Sequence, residues 1–317
     1  MCLERFIQMS YRCIYIRRAD KMNLRDNNLV VRNDEREVIV PLEDIAMILL
    51  EDNCSLLTAK LISSLSSYYI GLIICDDKYM PVSLTLPLHM HYKQLRVFHM
   101  QLDVKKPFNS QLWFRIVKQK IINQRRVIEM TTKDEYAIDR LLECEKELKS
   151  NDKTNREALA AKYFFSGLYG SLFIRKRKSE DEINAALNYG YTILMANMSR
   201  ILAMYGFNTI IGIHHISESN NFNLSCDLME PFRPMIDLVI YQNINNLSYP
   251  LTKDIKKELI EVLTKPVRIN NKNYLIQYAM EEMVLSYIKA LENENSEYLL
   301  LPSLLDEENV SVGDDIL

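Results

Sequence analysis

The 317-residue chain has little of what marks a fibrous or membrane-spanning protein. With only 7 Gly and 9 Pro it is neither collagen-like nor low-complexity. Its longest apolar runs, residues 45–50 and 68–75, fall far short of the roughly 20 residues that a membrane-spanning helix needs. The opening MCLERFIQMS lacks the charged-then-apolar design of an export signal, so export is not expected. Cys2, Cys13, Cys54, Cys75, Cys144 and Cys226 include no CxxC pair, which excludes a zinc knuckle or a thioredoxin-type motif. Several sit in apolar runs, where cysteine acts as a small hydrophobe, and the expected setting is a reducing cytoplasm.

No sign of charge dominates either. The 39 Lys and Arg against 42 Asp and Glu leave a net charge of −3, which does not by itself suggest a nucleic-acid binder. The local distribution does. Arg96, Lys105, Lys106, Arg115, Lys118, Lys120, Arg125 and Arg126 face only Asp103 across residues 96–126, and Arg175, Lys176, Arg177 and Lys178 form a second run. The acids gather after residue 292. Such basic zones can track a phosphate backbone, or they can be ordinary solvated helix faces.

What is present suits a folded chain of two domains, at about 150 residues each. Up to residue 86 the texture is short β-type runs separated by turns: 11–17, 29–32, 38–40, 45–50, 71–75 and 81–86, with a helix over 55–66. Turns are expected at Asp26-Asn27-Asn28 and Asn33-Asp34-Glu35. Helical periodicity then predicts helices over 113–129, 134–148, 156–169, 181–204, 234–246 and 273–291. The fold class is α+β: a small N-terminal β domain, residues 1–92, followed by a larger all-α domain, residues 93–317.

Three segments could carry chemistry. Glu157, Ala161, Phe165 and Leu168 share one helical stripe, so the carboxylate points toward packed protein. It either answers the helix dipole or pairs with a cation. The second segment is Gly212-Ile213-His214-His215 followed by Asp227-Leu228-Met229-Glu230-Pro231-Phe232-Arg233-Pro234. Asp227 and Glu230, three apart, fit a helix cap, and a histidine with two carboxylates also fits Mg²⁺ or Mn²⁺. In the third, Asn184, Asn188 and Tyr191 line one side of a helix whose Gly190 implies close backbone approach or a site needing space.

In this order, with Ala160-Ala161-Lys162-Tyr163-Phe164 after Glu157 and Ile183–Tyr191 between, these motifs resemble the CRISPR-associated adaptation integrase, the first Cas protein. The GIHH and DLMEPFRP wording is similar to the branch that accompanies the single-protein effector nuclease, the type II systems. Lys21, residues 26–32, Pro41-Leu42-Glu43-Asp44-Ile45 and 71–81 resemble that family's β domain, and the family's usual start falls near Met9 rather than Met1. The resemblance implies a homodimer formed through the N-terminal domain. It also implies a metal site of Glu157, His215 and Glu230 that is catalytic with Mg²⁺ or Mn²⁺, with Asp227 and Tyr189 in support. The implied activity is metal-dependent DNA endonuclease and integrase chemistry: 3′-hydroxyl transesterification of short prespacer DNA into the CRISPR repeat. The implied partners are the second Cas protein and the effector nuclease and accessory adaptation protein of type II systems, with no membrane. Arg115, Lys118, Arg125, Arg126, Arg175, Lys176, Arg177 and Lys178 are our own candidates for phosphate contacts. The rival expectations are a non-catalytic DNA-binding scaffold of the same fold and a helical metalloprotein acting on a small molecule.

Overall fold

The computed structural model describes residues 12–34, 36–87, 93–152, 154–177 and 179–305. The chain divides between residues 90 and 91 into two compact units.

The first unit holds β1 (Arg12–Ile16), β2 (Lys21–Arg25), β3 (Asn28–Asn33), β4 (Arg36–Pro41), β5 (Ile45–Leu50), β6 (Leu56–Leu57), α1 (Ala59–Ser67), β7 (Gly71–Cys75) and β8 (Pro81–Thr85). They form two four-stranded sheets, ordered β1-β5-β7-β8 and β4-β3-β2-β6. β5 pairs in parallel with both β1 and β7, and every one of its side chains is buried, as expected of a parallel strand covered on both faces. Asp26 and Asn27 both have positive φ and make the two-residue turn that sets Arg25 opposite Asn28. Asn33 sits opposite Arg36, whose backbone N–H donates to the Asn33 side chain, so the second expected turn is a hairpin too. Glu35 in that turn lies outside the described residues. α1 begins at Ala59 rather than 55, because Thr58 caps it and Leu56–Leu57 pair with β2.

The second unit contains α2 (Gln94–Leu102), α3 (Lys106–Met130), α4 (Glu135–Glu147), α5 (Arg156–Tyr169), α6 (Glu182–Met204), α7 (Asn223–Met229), α8 (Arg233–Gln242), α9 (Lys253–Glu261), β9 (Pro266–Ile269), β10 (Lys272–Leu275) and α10 (Ile276–Glu292). Its described residues form helices and short helical turns apart from one named hairpin, β9–β10. Residues 273–275, expected as the start of the last helix, are strand: Asn270 and Asn271 take positive φ and turn β9 into β10. α3 starts seven residues earlier than expected, with Pro107 in its first turn, where a missing N–H costs nothing.

α6 is the axle of this unit. Almost all of it after Ile183 is buried, and it packs against α7, α8, α9 and α10. Gly190 is required there: a Cβ would lie 2.5 Å from the Ile236 Cγ2 of α8. Gly190→Ala is therefore expected to cost about 1–3 kcal/mol through overpacking. In urea denaturation, Gly190→Ala/Ile236→Ala should cost less than the sum of the single changes. Simple additivity would show that this contact does not set the helix spacing.

Candidate active site

α3 and α5 pack side by side, and α3 also packs on the short turn Glu230–Phe232 that joins α7 to α8. That arrangement brings Lys120 between two carboxylates. Its Nζ lies 2.7 Å from Glu157 Oε1 and 2.6 Å from Glu230 Oε2. Burial works against the ammonium charge, but Glu230 and Glu157 outweigh it and hold the lysine pKa above its usual value. Glu230 is buried, and Arg233 donates to its other oxygen at 2.7 Å. Burial opposes the Glu230 charge, yet Arg233 and Lys120 pull the carboxyl down to about 2.

Glu157 lies in the first turn of α5, but its side chain turns to Lys120. The orphan N–H groups of that turn are answered by Asp152, which accepts from Arg156 N at 2.6 Å and Glu157 N at 3.0 Å. The apolar core stripe of α5 is Ala160, Phe164 and Leu168, one position round from the expected one. Ala161 and Phe165 instead line a cavity of about 580 Å³ whose wall also includes Lys120, Tyr191, Arg233 and Asp237.

The histidine arrives on the loop between α6 and α7, and Asp227 holds it. The fully buried Asp227 carboxylate accepts from the backbone N–H of Ile213 at 2.6 Å, of His214 at 2.9 Å and of His215 at 3.3 Å. It also bonds His215 Nδ1 at 2.5 Å. Asp227 is thus inside α7 and gathers a loop rather than capping α8. Gly212 is forced by the same wrap, since a Cβ would collide with the His215 carbonyl and lie 2.8 Å from Asp227 Oδ2. Trp113 of α3 stacks on His214, ring centroids 4.3 Å apart, and meets His215 edge-on. The hydrogen bond that His215 donates to Asp227 raises the His215 pKa, burial opposes this, and the charges of Asp227, Glu230 and Glu157 add to the rise. With Nδ1 committed, Nε2 is the nitrogen left to ligate.

Among the described residues, no three His, Cys, Asp or Glu side chains stand as a ready metal cluster. The donor chemistry nevertheless fits a hard divalent cation: two carboxylates already meeting one positive charge, and an imidazole oriented from behind by a carboxylate.

Tyr189, expected in support, is fully buried in α6, and the tyrosine on the cavity is Tyr191. The Tyr191 hydroxyl donates to Asp237 at 2.5 Å, and Arg233 lies 4.1 Å over its ring. Asn184 and Asn188 serve Arg175, accepting from its guanidinium at 3.0 and 2.7 Å. Lys176 and Arg177 are exposed, Lys118 is half-buried, and Lys178 lies outside the described residues. Arg115 is engaged by Glu297 at 2.6 Å, Arg125 by Glu129 and Glu145, and Arg126 by Glu129. Arg96 and Lys105 likewise meet Glu292 and Glu294. Part of the acidic C-terminal stretch therefore folds back on the basic segment.

Lys120 and Asn123 are the residues that sequence periodicity did not single out. Asn123 donates to the Pro231 carbonyl at 2.7 Å and the Pro302 carbonyl at 3.0 Å, which fixes the turn carrying Glu230. The available signal was polar residues on an apolar stripe: Lys120, Asn123 and Gln124 interrupt Ile116, Val117, Ile121, Val127 and Ile128.

A β unit of two sheets followed by a helical unit recurs among solved structures. A casposase bound to an integration product superposes with a TM-score of 0.72 at 19% identity, covering 90% of this chain and 91% of the other. The Cas6-RT-Cas1--Cas2 complex gives 0.74 at 18%, over 94% of this chain and 36% of a longer one. At those identities the likeness shows the fold. Sequence settles the family: residues 14–268 match the family described as CRISPR associated protein Cas1, and the chain belongs to it. The CRISPR-associated endonuclease Cas1 of Neisseria meningitidis serogroup C (strain 8013) is 36% identical over 300 residues, 94% of this chain and 97% of the relative.

Proposed function

We propose that this chain is a metal-dependent DNA integrase and endonuclease that inserts short DNA into a CRISPR repeat. The observation that supports the reading is that Glu157 and Glu230, 73 positions apart, share the buried Lys120 ammonium, while Asp227 holds the His215 ring through Nδ1. Glu157, His215 and Glu230 would hold Mg²⁺ or Mn²⁺. When bound, such an ion polarises a phosphodiester oxygen and stabilises charge on a leaving 3′-oxygen. The chain's own contribution is placement. Asp227 fixes the imidazole tautomer, Asn123 fixes the turn bearing Glu230, and Arg233 keeps Glu230 ionised. The incoming 3′-hydroxyl attacks phosphorus as the leaving 3′-oxygen departs, so one phosphodiester replaces another. Water in place of that hydroxyl gives the endonuclease reaction.

Phosphate contacts fall first to Lys118, Arg175, Lys176 and Arg177, because Arg115, Arg125 and Arg126 already have carboxylate partners. Val38 and Ile39, exposed on the edge strand β4, support a homodimer built through the N-terminal unit. The shared fold with the Cas1–Cas2 assembly supports the second Cas protein as partner, and the GIHH and DLMEPFRP wording supports the type II branch with its effector nuclease and accessory protein.

The test is strand transfer of a 3′-hydroxyl oligonucleotide into supercoiled plasmid with Mn²⁺. Wild type is expected to join the two DNAs, and Glu230→Ala and His215→Ala to lose the product. A wild type that binds DNA and never joins it would leave a scaffold instead.

A further inference from the structure

We propose that Lys120 is a tethered counter-cation that competes with the divalent ion for Glu157 and Glu230, so that metal entry requires its ammonium to withdraw. The inference rests on the reading of those two residues as ligands. Lys120 Nζ touches one oxygen of each, at 2.7 and 2.6 Å, and Arg233 holds the remaining oxygen of Glu230. Both faces of the Glu230 carboxylate are therefore occupied by side chains of this protein. Two carboxylates sharing one site repel each other, and a cation between them offsets that repulsion. Lys120 supplies that cation from within the fold.

The two basic partners of Glu230 are not equivalent. Arg233 is clamped over the Tyr191 ring, with its planar fork fixed. Lys120 is a compact charge on a flexible four-carbon stem. Its backbone is held by Ile116, Val117 and Ile121 in the α3 core, so the ammonium can move while the helix stays. There is somewhere for it to go: Lys120 borders the cavity of about 580 Å³, whose wall also carries Gln124 and Asp237. Those groups can accept the hydrogen bonds it would give up at the glutamates. The result is a site that stays ordered without metal and gives up part of its metal affinity in exchange.

The test is direct Mn²⁺ binding to the purified full-length chain, read from loss of the free-ion electron paramagnetic resonance signal and needing no DNA. Lys120→Met should bind Mn²⁺ about tenfold or more tightly than wild type, the scale at which neighbouring groups tune metal affinity. Its melting temperature without metal should be lower and its Mn²⁺-induced rise larger. Lys120→Gln, which keeps hydrogen bonds to the carboxylates and loses the charge, should tighten binding in the same direction and serves where the methionine variant does not fold. Equal or weaker Mn²⁺ binding in the folded neutral variants, with Glu230→Gln still abolishing it, would overturn the competition. If Glu230→Gln binds Mn²⁺ as wild type does, the ligand assignment falls instead.

Discussion

Asp227→Ala is expected to destabilise the chain by about 3–5 kcal/mol, the range for removing one partner of a buried charged pair, and to lose strand transfer with it. The carboxylate has no exposed surface and accepts from three successive backbone N–H groups as well as from the His215 ring. Alanine leaves those donors without an acceptor in protein interior, and each orphan costs about 1–3 kcal/mol unless the loop opens to water. Loop opening is the cheaper outcome, and it frees the His215 ring from the position in which Asp227 holds it. Asp227→Asn keeps one acceptor oxygen but turns an amide N–H₂ toward N–H groups, so it should fall between wild type and alanine. Urea denaturation reads the stability and plasmid strand transfer reads the chemistry. A stable Asp227→Ala protein with joining activity near wild type would mean that the loop is held by something other than this carboxylate.

The second large effect concerns pH. Burial pushes the Asp237 carboxyl up from 3.8 to about 7, even though the Tyr191 hydroxyl and the charges of Arg233 and Arg175 favour its ionised form. Between those two values the folded chain keeps a proton that the unfolded chain has already released. Stability must therefore fall as pH rises from about 4 to about 7, by an amount on the order of 2–4 kcal/mol. Glu230 works in the opposite sense and in a lower window: its depressed pKa adds stability as pH rises from about 2 to 4.5, all of it in place above that. His215, raised from 6.5, contributes stability below that value that is lost as pH climbs through its folded pKa. Asp237→Asn isolates the first term. Relative to wild type it should gain stability steadily from pH 4 to pH 7 in urea titrations. Parallel curves for the two proteins would show that Asp237 is ionised across the whole range.

Several elements could be read without coordinates because local physics defines them. β7 and α5 fall on the expected residues, and α6 begins at Glu182, just after Asp181, whose side chain accepts from the Asn184 N–H. Residues 273–275 were misread because alternating Lys-Asn-Tyr-Leu is too short to separate strand from helix, while the Asn270-Asn271 turn signal sat outside the periodic stretch. α2, nine residues long, has no counterpart in the periodic pattern for a similar reason, and α9 is one of the shorter pieces expected between the long helices. Too few turns were present for the pattern to repeat.

The candidate site divides in the same way. The amino-acid order offered Glu157, His215, Asp227 and Glu230 as candidates through the family resemblance, because short-range wording such as GIHH and DLMEPFRP survives as sequence. It also determined two successive textures, strand then helix, since period-2 and period-3.6 burial are written into consecutive residues. Only the tertiary structure decided that Lys120 stands between the two glutamates, that Asp227 serves a loop twelve residues behind it, and that Arg115 is spent on Glu297. Each of these is a charge meeting its partner across 12 to 182 positions. Coulomb attraction depends on distance in space and on the burial around it, neither of which a one-dimensional pattern contains.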